Sequence, residues 1–179
     1  MYRGFERLNV VFTYGVITLT VCVLALNLTT FFKDFSRIET VNLDFKGFSG
    51  FIKNSSRYPS LRVDGSHETA FLTLDAEADF QSMFNWNVKQ LFVSVVVEYV
   101  SPMHARNEVV VWDKIIVREG NALINTNKGS RYMHWDDGTG LRGLKANWRL
   151  KWNVIRNVGP MADYQSPAYE IEFPKEYSH

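Results

Sequence analysis

A hydrolytic serine, a metal cluster and a ligand-stacking platform are the chemistries this sequence could house, and each is thinly supplied. Ser82-Met83 offers a hydroxyl. A serine becomes a nucleophile only beside a base, a lysine or a histidine held by an acid, with donors for the oxyanion. The four histidines are His67, His104, His134 and His179, and none sits in a recognisable signature. No two have a metal-ligand spacing such as HxxxH, and no cysteine assists them. Ser82 itself lies among Phe80, Met83 and Phe84, whose i, i+3, i+4 spacing predicts a short helical turn with core residues on it. Asp136-Asp137-Gly138-Thr139-Gly140 lacks the further carboxylates and spacing of a calcium loop and reads as a polar turn. The sequence therefore predicts no catalytic residue, no metal ligand and no cofactor. The five tryptophans are Trp86, Trp112, Trp135, Trp148 and Trp152. They leave a stacking platform open, although four fall in or beside strand patterns where a core position accounts for them. Trp135, beside the acidic pair, is the one expected to be exposed.

The elements that would position these residues are strands. Val41 to Phe45 alternates apolar and polar. Leu72, Leu74, Ala76, Ala78 and Phe80 share one face, with Thr73, Asp75, Glu77 and Asp79 on the other, the pattern of a half-buried strand. Leu91 to Tyr99 is apolar on both faces and reads as a central strand. Val109 to Trp112, Lys114 to Val117, Trp148 to Val154 and Tyr169 to Phe173 complete the set. Asp64-Gly65, Glu119-Gly120-Asn121, Asp137-Gly138 and Gly159-Pro160 punctuate them. Short strands with frequent turns and no long amphipathic helix predict an antiparallel β-sandwich.

One segment is different. From Leu8 to Phe32 no side chain is charged. At about 1.5 Å per residue this run reaches about 37 Å, enough to cross a hydrocarbon core of about 30 Å with some tilt. Its threonines can return their hydroxyls to carbonyls one turn back, which leaves Asn27 as the costly residue. A cleaved signal peptide would have a shorter apolar stretch, and a core helix would have a polar face. The division predicted is a tail at 1–7, a transmembrane helix at 8–32 and a β domain at 33–179. Cys22, the single cysteine, lies inside the span, so a disulfide scaffold is excluded. Beyond the span acidic and basic residues balance, and nothing resembles a footprint for nucleic acid. Basic residues flank the span almost evenly, Arg3 and Arg7 before it and Lys33, Arg37 and Lys46 after it, so charge alone leaves its orientation open. The glycosylation sequon Asn54-Ser55-Ser56 and the shortness of the tail favour a lumenal C-terminal domain.

Phe84-Asn85-Trp86-Asn87-Val88-Lys89-Gln90-Leu91-Phe92 is a distinctive run. The valine-rich strand ending Glu98-Tyr99 follows it, then Val110-Val111-Trp112-Asp113-Lys114-Ile115-Ile116, then Trp152-Asn153-Val154. In order and spacing these resemble the subunit 3 family of the endoplasmic reticulum signal peptidase complex, over nearly the whole chain, anchor included. The resemblance implies a single-pass type II protein of that membrane, with a cytosolic tail and a lumenal domain. It implies a non-catalytic accessory subunit, whose partners are the catalytic serine-protease subunit and other small membrane subunits. It also implies a glycoprotein, yet the Asn-x-Thr that family members carry before Trp-Asn-Val is missing from Leu144 to Arg149. Asn54 is then the glycosylation candidate. Trp86, Lys89, Trp112, Asp113 and Lys114 are the candidates for the subunit interface. The alternative is a membrane-tethered sandwich that recognises glycans or cargo through Trp135, and a serine hydrolase using Ser82 is the third reading.

Overall fold

The uncharged run folds as the sequence predicts, into one long helix. In the computed structural model α1 spans Tyr2–Phe31, and its apolar side chains face outward all round. Thr13, Thr18 and Thr20 donate their hydroxyls to the carbonyls of Asn9, Tyr14 and Val16 at 2.8, 2.8 and 2.9 Å. These three hydroxyls are thereby satisfied within the helix, as a lipid environment demands. The helix is long and apolar enough to cross a membrane from Arg3 to Phe31, and it is exposed along most of its length, with Thr30 buried in its last turn. It starts ahead of the predicted 8–32, because nothing between Tyr2 and Leu8 breaks a helix and charges are tolerated on its exposed first turns.

The structure describes residues 2–38, 40–54, 67–101, 104–118, 120–126, 132–136 and 140–178. Among the described residues nine strands follow α1: β1 (Thr40–Asn54), β2 (His67–Asp79), β3 (Val88–Tyr99), β4 (Asn107–Val117), β5 (Leu123–Thr126), β6 (His134–Asp136), β7 (Lys145–Arg156), β8 (Ala162–Gln165) and β9 (Tyr169–Glu172). They form two antiparallel sheets. In the first, β2 pairs with β1 along its whole length and with β5 and β6 on its other side. In the second the order is β4-β3-β7, with β8 and β9 both beside β7.

The sheets meet through their inner faces. Leu72, Ala76 and Ala78 of β2 are buried, as are Leu91, Val93, Val95 and Val97 of β3 and Trp148, Leu150, Trp152 and Val154 of β7. Rings bridge the two layers, Phe45 to Trp148 at 6.5 Å and Phe80 to Trp152 at 6.3 Å. The short helical turn appears as a single 3-10 turn at Gln81–Met83. β1 is far longer than the Val41–Phe45 expected. Bulges at Phe45/Gly47 and Phe48/Gly50 break its alternation, and Gly47 takes a φ of 120° that other residues avoid. β5, β6 and β8, of three or four residues, are too short to carry a periodic signal.

The chain between α1 and β1 is part of this core. Phe35 is wholly buried, and the Trp152 indole donates to its carbonyl at 3.0 Å.

Candidate subunit interface

The geometry brings neither His104 nor His134 to Ser82. Ser82 is exposed, and its carbonyl accepts a hydrogen bond from Lys33 Nζ at 2.7 Å. His104 lies beyond the far end of β3, about 36 Å from the Ser82 end at a strand's rise per residue. His134 pairs with Ala70 near that same far end. It is buried against the rings of Tyr99 and Phe173, at 5.0 and 5.1 Å, and burial pushes its imidazole down to about 4, so it is neutral. Among the described residues no group of three His, Cys, Asp or Glu side chains is placed to hold a metal.

The candidate interface residues do not form one patch. Trp86 is 44% exposed and precedes β3, next to the anchor. Lys89 is exposed at a bulge near the start of β3. Trp112 faces the core opposite Val95 and is 9% exposed. Lys114 lies on that inward side opposite Val93 and is half-buried at the edge, whereas Asp113 lies on the outer face opposite Ser94. Three consecutive strand residues must alternate faces, so Trp112, Asp113 and Lys114 divide between core and surface. The Asn54 side chain, the sequon's Ser55 and Ser56, the side chains of His67 and Trp135, and the Asp137-Gly138-Thr139 turn lie outside the described residues.

The same register exposes a patch that sequence reading missed. The outer face of the second sheet presents Glu108, Val110, Asp113, Ile115 and Val117 from β4, opposite Glu98, Val96, Ser94, Phe92 and Gln90 of β3. Val110, Ile115 and Val117 are 40, 56 and 50% exposed, which is high for aliphatic side chains on three of the five outward positions of an edge strand. Beside them runs a groove of about 480 Å³, with Phe92, Ser94 and Val96 on its lining and Lys151, Asn153 and Asp163 across it. Apolar residues thus gather toward the β4 edge and polar ones toward β7 and β8.

One end of this face is rimmed by ion pairs. Glu98 and Glu108 sit directly opposite each other, an unfavourable cross-strand pair by itself. Cations bridge them. Arg149 reaches Glu98 at 2.8 Å, Lys151 reaches Glu108 at 2.6 Å and Glu98 at 3.2 Å, and Arg106 reaches Glu108 at 3.2 Å. The hydrogen bond from Lys151 holds the Glu108 carboxyl below its usual range. An apolar centre with a charged margin is the anatomy of a protein–protein interface. Across the same edge, Tyr132 N–H bonds to the Val111 carbonyl at 3.0 Å, at the bulge.

A family model described as signal peptidase subunit matches residues 1–176. The chain is similar to proteins named signal peptidase complex subunit 3. The one from Drosophila melanogaster is 33% identical, over 99% of this chain and 98% of that protein. The one from Gallus gallus is 34% identical, over 96% of this chain and 94% of that protein. The one from Homo sapiens is 31% identical, again over 96% and 94%.

Proposed function

The chain belongs to the signal peptidase subunit family, and from that premise we propose that it is a non-catalytic accessory subunit of the signal peptidase complex in the endoplasmic reticulum membrane. The observation that carries this reading is similarity along the full length to relatives named as subunit 3 of that complex. The protein is then a partner of the catalytic serine-protease subunit and of further small membrane subunits. α1 is its retained anchor, the tail at 1–7 is cytosolic, and the β domain from 33 onward is lumenal. Burial of Phe35 and of Thr30, in the last turn of α1, supports retention, because the folded domain uses the end of the helix. Asn54 remains the glycosylation candidate.

The mechanism is positional. The catalytic subunit must be held where a signal peptide's cleavage site leaves the bilayer. Two domains tethered to one membrane meet at raised effective concentration and restrict each other's orientation when they pack. The β4 edge and the outer face around Val110 and Ile115 supply a surface for that packing, with Asp113 on it. Trp86, Lys89 and Lys114 remain candidates at its periphery, while Trp112 would act by holding β4 in place.

The test is affinity purification of the full-length chain in mild detergent, with copurifying proteins identified and precursor processing assayed. A stoichiometric serine-protease subunit should copurify, and the Ser82→Ala variant should process precursor at the unmodified rate. Recovery of the folded chain alone would contradict the assignment. So would processing that is lost with Ser82.

A further inference from the structure

The end of the sandwich from which β3 starts meets the last turn of α1 at Thr30 and the chain just beyond the helix at Lys33. Asn87 Nδ2 lies 3.5 Å from the Thr30 hydroxyl and donates to the Val158 carbonyl at 2.8 Å. The Val158 N–H returns a bond to Asn87 Oδ1 at 2.9 Å. Lys33 reaches the Ser82 carbonyl from the other side. These contacts and the Trp152 bond to the Phe35 carbonyl set the attitude of the domain relative to the helix.

In that attitude the turn joining β7 to β8, residues 157–161, hangs beside α1 instead of beyond its end. Gly159 marks the contact. Its φ is 112°, and a Cβ at this position would overlap the Asn27 side-chain oxygen. Asn27 lies four residues before the helix end, about 6 Å of rise. Leu28, Phe31 and Phe32, which lie past that level, are exposed and apolar. A bilayer that covers them must also reach the turn.

The turn is suited to such a place. Met161 is 65% exposed, and Pro160 beside it is exposed too. Trp86 adjoins them, since Asn157 Nδ2 lies 3.5 Å from its carbonyl and Arg118 Nη1 donates to that carbonyl at 3.2 Å. An indole with one apolar and one polar side favours the interface between hydrocarbon and water, and Arg118 brings a cation to the level of lipid phosphates. Single exposed apolar residues are ordinary on any surface. What distinguishes these is that they cluster at one end, at the depth of a span. The turn also covers Asn27, the one costly amide in the span, whose Nδ2 is bonded to the Val23 carbonyl at 2.9 Å.

We propose that the β7–β8 turn and Trp86 form a lipid-contacting rim, seated at the boundary of headgroups and acyl chains in the membrane that α1 crosses. The rim fixes the height and tilt of the β domain over the bilayer. This rests on reading α1 as a retained span.

The test uses the full-length Cys22→Ser chain with its copurifying subunits, in phosphatidylcholine vesicles that contain nitroxide lipids. A fluorophore is attached at one introduced cysteine, by Met161→Cys, by Lys145→Cys at the far end of β7, or by Val21→Cys within α1. The label at 161 should be quenched by lipid nitroxides near the headgroup and shielded from aqueous iodide, with the label at 145 showing the reverse. Adding Gly159→Val should abolish the lipid quenching at 161 by pushing the turn off the helix. If the label at 21 is quenched by lipid while that at 161 answers only to iodide, the rim is wrong and the span stands. If the label at 161 answers to neither quencher, a protein subunit covers the turn and the lipid assignment is overturned. If the label at 21 is also untouched by lipid, the span fails and the rim with it.

Discussion

β2 and β3 are the middle strands of their sheets, and their outward faces could hardly differ more. Outward from β2 stand Thr73, Asp75, Glu77 and Asp79, and Lys46 of β1 lies 2.6 Å from Asp44 and 3.6 Å from Asp75. This is a face finished by water. Outward from β3 stand Phe92, Ser94 and Val96, continued on β4 by Val110, Ile115 and Val117. These residues lie outside the cluster between the sheets, Ser94 and Val96 being covered by their neighbours on the outer face and Val110, Ile115 and Val117 exposed. A sheet that is apolar on both sides normally has a layer on both sides, and among the described residues this one has a layer on one side. On the proposed docking role, the first face is left to solvent and the second is covered by a partner subunit.

The comparison breaks most severely where both sheets depend on one residue. Trp152 is buried between them and donates to the Phe35 carbonyl. Trp152→Ala should cost about 3–5 kcal/mol, measured by denaturant unfolding of the full-length protein in detergent, and should loosen the anchor together with the core.

Acid should weaken the first sheet next. His134 of β6 is held neutral by burial, near a pKa of about 4 against an ordinary 6.5. Between those values the unfolded chain binds a proton that the folded one does not, so stability rises with pH across that window. It should be lost progressively as pH falls from about 6.5 to about 4, by on the order of 3 kcal/mol. His134→Phe should flatten that part of the profile in melts run across the window.

A smaller effect is expected at Glu68, buried on the inner side of β2. It accepts bonds from the Leu141 N–H at 2.7 Å and the Tyr177 hydroxyl at 2.6 Å, and pairs with Arg142 at 3.3 Å. Glu68→Gln should cost roughly 1–3 kcal/mol, read by the same unfolding curves, and should release the C-terminal segment to limited proteolysis.

Much of this contrast was legible in the sequence. The alternation of β2 and the two-sided apolarity of β3 are there to be read, as is the uncharged run of α1. The apolar outer patch was not, for a specific reason. The bulge between Val95 and Val96 places two residues of β4, Val111 and Trp112, against one step of β3. That shifts the phase, so outward positions run 108 and 110 and then 113, 115 and 117. Val110 and Ile115 therefore share a face although their numbers differ in parity, and a strict period of two assigns them to opposite sides. The four apolar residues Val109 to Trp112 in succession were the available hint. The seating of the 157–161 turn beside Asn27 left no trace in local pattern, because it depends on contacts distant in sequence.

The most direct measurement sets the two outer faces against each other. Val110→Asp with Ile115→Asp charges the apolar one, and Thr73→Lys with Glu77→Lys alters the polar one. Both pairs are outward-facing, so each substitution should change folding stability by no more than about 1 kcal/mol. Affinity purification from detergent-solubilised membranes should then recover the catalytic subunit at full yield with the β2 variant and lose most of it with the β4 variant. Full recovery with a folded β4 variant would contradict the docking account, and equal loss from both would show that the contrast between the faces does not direct assembly.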